Sequence, residues 1–509
     1  MYGKFYFTFI FSFDIYNQLP LVSIRKFFSN IGLMLLLNLL VKPIYMLMET
    51  AVQNNVGHEA YGDYSAALSF AFILVWLADW GVNQHTTQSI AQDASTLKPK
   101  MPYLLSLKLS LTFLFPLLVG VFSYLYYQST WGASANESQW NMIYLAFLGG
   151  VIMSATKLME FYRSIFQALQ AFKIDSFASV LERFLLIAGV GILLYFGINI
   201  YSFVYLRIFC LVLCCLIFAV GLRKISDTHL PKWNWQEKKQ ILKASFPFAM
   251  IMFLYSANDK IDQLLLKELK GSAETGLYAA AYRFLDASSN YLWIILPLFF
   301  ARFAYFHANK VEKERLLYAG QIVTALPLMF LSLFVHFYGG KFLFLFKGST
   351  GEEIMVILSC LKVLFYSSFV GGMFAIFSTL LTSTGHERFV NKIIIAGIII
   401  NVVSNLIFVP QYGCIAAAWN TLINNLFLCL CEIIYLQFKT DIRVPYWQSF
   451  KLLLLAFFAY ITFFLLYDTS HWLIVSGIVG LSYLLVAFLL KLLPSPKALM
   501  EIFKKPAQE

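Results

Sequence analysis

About fourteen apolar runs, each close to twenty residues long, dominate this chain and restrict what it can become. An α-helix needs roughly twenty apolar residues to cross about 30 Å of hydrocarbon, and within that layer its backbone polar groups must pair inside the segment. The runs near 31–51, 66–87, 104–127, 141–162, 177–197, 201–222, 244–266, 278–300, 317–338, 354–381, 391–409, 414–436, 447–467 and 471–491 therefore predict an all-α polytopic membrane protein with about fourteen transmembrane helices. Composition agrees, since 60% of the 509 residues are apolar and 13% charged, and soluble domains carry roughly 45–50% and about 25%. The longest gap, 223–243, leaves no room for a soluble domain.

Charge gives the orientation, because loops on the cytoplasmic side hold the excess of Lys and Arg. With the N-terminus inside, 28 of the 38 basic residues fall on inner segments, Lys98, Lys100 and Lys108 among them, and only Lys267, Lys270, Lys341 and Lys347 fall on outer loops. Both termini are thus expected in the cytoplasm. Topology accounts for the net charge of +11, so nucleic acid is not needed as a partner. The seven cysteines lie in or beside apolar runs without metal-ligand spacing and read as packing residues. Residues 1–30 read as an uncleaved interfacial segment, with Asp14 interrupting the apolar stretch.

A short segment is spelled twice. VGHEAYGDYSAA at 56–67 returns as KGSAETGLYAAA at 270–281, aligning Gly57 with Gly271, Gly62 with Gly276 and Tyr64 with Tyr278. LLIAGVGI at 185–192 is echoed by IIIAGIII at 393–400. The spacing predicts two six-helix lobes, 31–223 and 244–438, related as parallel repeats about an axis along the membrane normal, with a cleft expected where they meet. Between them, 224–243 is a basic joint carrying Trp233 and Trp235, which suits either the inner leaflet surface or a plain solvated loop. Residues 439–509 add two C-terminal helices and a cytoplasmic tail.

Six basic residues, Lys42, Lys157, Arg207, Lys260, Arg283 and Lys362, fall inside predicted spans. A charge there costs roughly 2.5–3.5 kcal/mol on insertion scales, so each needs a partner or a polar cavity. The first span places Asn38, Lys42, Tyr45 and Glu49 on one helix face, with Pro43 loosening the backbone beside Lys42. The seventh carries Tyr255, Asp259 and Asp262 with Lys260 adjacent, and the eighth Arg283, Asp286 and Asn290. Ion pairing is the structural alternative for Lys260 with Asp259 and for Arg283 with Asp286. Lys157 can snorkel, and Asp79 in LADWG reads as a helix-end residue in contact with water.

Lys42, Arg207 and Lys362 have no easy same-helix partner, so the excess is cationic and the expected guest is an anion such as phosphate or pyrophosphate. The candidate substrate-binding set is Lys42, Arg207, Lys260, Arg283 and Lys362. Glu49, Asp259, Asp262 and Asp286 are candidate counter-ions, or exchange H⁺ or Na⁺ as the coupling ion. No catalytic constellation, phosphate-cradling glycine loop, metal motif or cofactor site is visible, so no enzyme activity is expected.

VGHEAYGDYS, LADWGV at 77–82, NDKIDQLLLKELKGSAETGLYAAAYRF at 258–284 and NVVSNLIFVPQYGCIAAAWNTLINN at 401–425 resemble the polysaccharide flippases of the multidrug/oligosaccharidyl-lipid/polysaccharide exporter superfamily. The resemblance covers most of 31–438 and implies two six-helix bundles working by alternating access. The implied cargo is an undecaprenyl-pyrophosphate-linked oligosaccharide, moved across a bacterial inner membrane for O-antigen, lipopolysaccharide or capsule synthesis. Membrane lipids and the polysaccharide polymerase machinery are the implied partners. The rival readings are a multidrug cation antiporter of the same fold, which would favour an acidic and aromatic cavity, and a membrane glycosyltransferase or polymerase, which would want a sizeable outer loop. The gaps at 52–65, 128–140 and 339–353 are short.

Overall fold

A computed structural model describes residues 41, 43–92, 97–131, 137–168, 172–223, 231–289, 291–306, 309–346, 349–469 and 471–493. Residues 1–30 and Lys42 lie outside the described residues. Among those described, regular structure is helical throughout, with no strand. Among the described residues nine helices are long and apolar enough to cross a membrane, or ten when one bent pair is taken as a single span. The protein is a multi-pass membrane protein. One of the nine is longer than a span: Glu387–Lys439 has 53 residues, which at about 1.5 Å each exceeds twice the roughly 30 Å hydrocarbon layer. It is two helices joined at Gly413, whose φ of 60° and ψ of −144° are not helical.

The chain packs as two compact units, one formed by the described residues up to Val56 with Asp63–Lys260, the other by Gly57–Gly62 with residues from Ile261 onward. The first unit holds α1 (43–56), most of α2 (His58–Ile73), α3 (Trp76–Asp79), α4 (Val82–Gln92), α5 (Leu97–Trp131), α6 (Glu137–Ala168), α7 (Phe172–Phe196), α8 (Ile200–Arg223) and α9 (Trp235–Lys270) as far as Lys260. Helix α6 lies against α5, α4, α8 and α7, and buries Phe161, Ile165 and Phe166 at its end.

The second predicted span is broken. His58–Ile73 and Trp76–Thr87 are bent by 49° across Leu74 and Val75, and after α3 the chain also turns through Trp80 (φ 49°) and Gly81 (φ 72°). Glycine is required there twice over: its φ is left-handed, and a Cβ would lie 2.4 Å from the Ser245 carbonyl oxygen on α9. The Trp80 indole closes the contact by donating to the Leu242 carbonyl at 3.2 Å.

The second unit continues with α10 (Ser272–Ser289), α11 (Leu292–Tyr305), α12 (Lys310–Tyr338), a 3₁₀ stretch (Gly339–Leu345), α13 (Gly351–Ser383), α14 (Glu387–Lys439), α15 (Tyr446–Leu466) and α16 (Trp472–Leu489). Helix α13 starts with a capping box, Thr350 accepting from the Glu353 N–H while Glu353 accepts from that of Thr350. Helix α16 buries Val475, Val479, Tyr483 and Ala487, four residues apart on one face, and leaves Leu473, Leu481, Leu485 and Phe488 exposed. Such apolar exposure belongs in lipid. Tyr483 anchors the buried face by donating to the Leu326 carbonyl of α12 at 2.8 Å.

The repeated letters acquire a reason here. Gly57 and Gly271 share the same left-handed backbone, φ 86° and 87°. A Cβ on Gly62 would lie 1.8 Å from the Ser272 carbonyl oxygen, and one on Gly276 would lie 2.0 Å from that of His58. Each copy's second glycine thus meets the residue that follows the other copy's first, so the two segments pack reciprocally.

Candidate functional site

Arg207, near the middle of α8, donates from Nη1 to the Tyr64 hydroxyl of α2. Tyr45 and Glu49 of α1 and Glu182 of α7 lie close enough to act on its charge, and Arg183 sits among Glu182 and Tyr45. The Arg207 Nε is buried without a hydrogen-bond partner among the described residues. Three helices besides α8 therefore bring two carboxylates and two phenols within electrostatic reach of one guanidinium. The sequence puts Arg207 and Glu49 on the candidate site but treats Arg207 as lacking an acid, because periodicity reports only partners on the same helix. Glu182 and Tyr64 come from other helices.

Two other expectations are corrected. Asp79 does not contact water: it and Lys108 are both 0% exposed and form an ion pair, and Lys108 also donates to the Ala78 carbonyl at 3.4 Å. Nor is Lys108 part of an inner loop, since it lies well inside α5. The buried cation thus answers both the Ala78 carbonyl and the Asp79 carboxylate at the end of α3. Lys157 pairs with Glu160 at 2.7 Å, and Lys260 with Asp259 at 3.2 Å, the latter carboxylate being 46% exposed.

In the second unit the centre is Asp262, 2% exposed. Its Oδ2 accepts from the Tyr278 hydroxyl of α10 and from Thr421 Oγ1 of α14 at 3.1 Å, and its Oδ1 from the Gln263 N–H at 2.8 Å. An amide network lies nearby on α14: Asn420 donates to Asn405 Oδ1 at 3.1 Å, and Asn405 donates to Asn401 Oδ1 at 2.8 Å. All three are buried. Arg283 is buried with its guanidinium 4.7 Å from the Tyr61 ring centroid, a cation–π distance. Asp286 is exposed on the same helix. Lys362 is half-buried on α13, where its charge reaches His336. The nine candidates, Lys42 apart, thus fall in different places: Glu49 with Arg207, Asp259 with Lys260, and Asp262 in a network of its own. The network's Thr421, Asn401, Asn405 and Asn420 are absent from the candidate set, although the i, i+4 spacing of Asn401 and Asn405 marks one helix face.

Among the described residues no cluster of three or more His, Cys, Asp or Glu could hold a metal ion. A polysaccharide biosynthesis protein family matches residues 27–300, more than half of the chain and most of the first unit with α10. The chain belongs to that family.

This chain's other likenesses are distant in sequence. It is 23% identical over 316 residues to the uncharacterized membrane protein MJ1375 of Methanocaldococcus jannaschii, covering 58% of this chain and 71% of the relative. Among solved structures, it is similar to the lipid II flippase MurJ in an inward closed conformation, with a TM-score of 0.73 and 15% identity over 90% of this chain and 98% of the other. It is similar also to an inward-facing multidrug resistance MATE family transporter of the MOP superfamily, with a TM-score of 0.65 and 15% identity over 80% and 98%. At such identities the likeness shows the fold, and the polysaccharide biosynthesis family supplies the context in which that fold is used.

Proposed function

We propose that this polysaccharide biosynthesis protein is a flippase, not an enzyme, that moves an undecaprenyl-pyrophosphate-linked oligosaccharide from the cytoplasmic to the periplasmic leaflet of a bacterial inner membrane by alternating access. The observation that carries the reading is Arg207: a guanidinium inside a span, with its Nε open and with Tyr45 and Tyr64 adding hydroxyls, offers donors suited to a phosphate. Glu49 and Glu182 hold the charge when no anion is bound and yield it when one is. Lys42, on the same predicted face as Tyr45 and Glu49, adds a second cation. Asp262, buried among hydroxyls, is the coupling acid of this proposal, taking H⁺ or Na⁺ as the membrane gradient is used.

A multidrug cation antiporter gains some support from Glu49 and Glu182 beside Arg207. One assay separates the two readings. Purified protein in liposomes receives a fluorescent lipid-pyrophosphate oligosaccharide, with and without an imposed H⁺ or Na⁺ gradient. Gradient-dependent flipping supports the proposal, whereas efflux of cationic dyes without flipping favours the antiporter.

A further inference from the structure

Helix α14 buries a carboxyl that neither the candidate set nor the proposed coupling uses. Glu432 is 0% exposed, and both its oxygens lack a hydrogen-bond partner among the described residues. It lies seven residues, about 10 Å, before the Lys439 end of the helix. Thr421, Leu428 and Glu432 follow at i, i+7 and i+11, so they share one face. The first half of α14 presses on that face: a Cβ on Gly397 would come within 2.7 Å of Asn424 Oδ1 and 3.0 Å of Leu428 Cδ2. Leu428, fully buried, separates Glu432 from the Asp262 network.

The groups that face Glu432 are few. Ser378 of α13 presents its hydroxyl to the carboxyl. Cys429 and Cys431, on the same helix, are the thiols within reach of its charge. No Lys, Arg, His, Asp or Glu among the described residues acts on it. An ionised carboxylate so placed would carry the full desolvation cost with nothing opposite. A hard metal cation asks for on the order of six oxygens, and a carboxyl with one hydroxyl does not supply them. A proton needs a single oxygen.

We infer that Glu432 is a proton-binding site, separate from Asp262, whose carboxyl carries a proton in the folded unit and exchanges it only when α13 and α14 part at Ser378. This holds whichever substrate the protein moves.

Infrared spectra of the full chain in liposomes in neutral buffer, compared between wild type and variants, test it without any transport readout. The wild type is expected to show a protonated carboxylic C=O band in neutral buffer that is lost in Glu432→Gln. Ser378→Ala, which leaves the carboxyl in place, is expected to shift that band while preserving it. A carboxylic band unchanged in both variants overturns the inference. So does a Glu432 signal that responds to replacing Na⁺ with choline at constant pH, because the occupant would then be a metal cation.

Discussion

Asp79 and Lys108 are the residues whose loss should be felt most in stability. Both are fully buried and joined to each other, so removing one leaves an uncompensated charge, which typically costs about 3–5 kcal/mol. Lys108→Met alone is expected to lower the thermal unfolding midpoint in detergent sharply, and Asp79→Leu with Lys108→Met to recover most of it. Equal melting of single and double variants would mean that the pair is not coupled. Arg207 should behave differently, because its partners are tyrosines and acids from three other helices. Arg207→Ala is expected to reduce flipping at least tenfold, measured in the liposome assay, with Arg207→Lys restoring part of it. The sequence made Arg207 visible as a charge in an apolar run, but its neighbours are 143 positions away in the case of Tyr64, and no periodicity reports that.

Elements are set by glycine and by turns more than by propensity. The reciprocal contact of Gly62 with Ser272 and of Gly276 with His58 leaves no room for a Cβ, and the obstacle is backbone, which cannot swing aside. Gly62→Val and Gly276→Val are each expected to lower folded yield and melting temperature more than Gly57→Ala. Gly57 has open space around its missing Cβ, and the cost of its left-handed φ is about 1–2 kcal/mol. A size-exclusion and melting series reads the order directly, and an inverted order would remove the packing explanation of the repeat. The repeat itself was legible as matching letters; that the copies pack on each other was not, because sequence alignment says which positions correspond and nothing about which positions touch. The bend between Ile73 and Trp76 and the left-handed turn at Trp80 and Gly81 were legible still less, since LADWG sits in a run apolar enough to pass for one straight helix.

At the scale of the whole molecule, the skew of Lys and Arg sets the expected topology. A cysteine replacing Trp235, beside the basic joint, should be labelled by an impermeant maleimide only from the cytoplasmic side, and one replacing Thr350 only from the outside. The native cysteines are buried or, for Cys431, half-buried, so background should be low, and reversed labelling would invert the topology. The sequence by itself determined the helical, membrane-spanning architecture and the family, because the bilayer imposes a length and a polarity that each segment must satisfy on its own. Only the tertiary structure decided what each buried charge faces: Asp79 faces Lys108, Arg207 the Tyr64 hydroxyl with Glu49 and Glu182 within electrostatic reach, Asp262 the hydroxyls of Tyr278 and Thr421, and Glu432 no ion among the described residues. The physical reason is that crossing a membrane is a local requirement met within about twenty residues, whereas compensating a buried charge is a three-dimensional one, met by whichever helix the packing brings within reach.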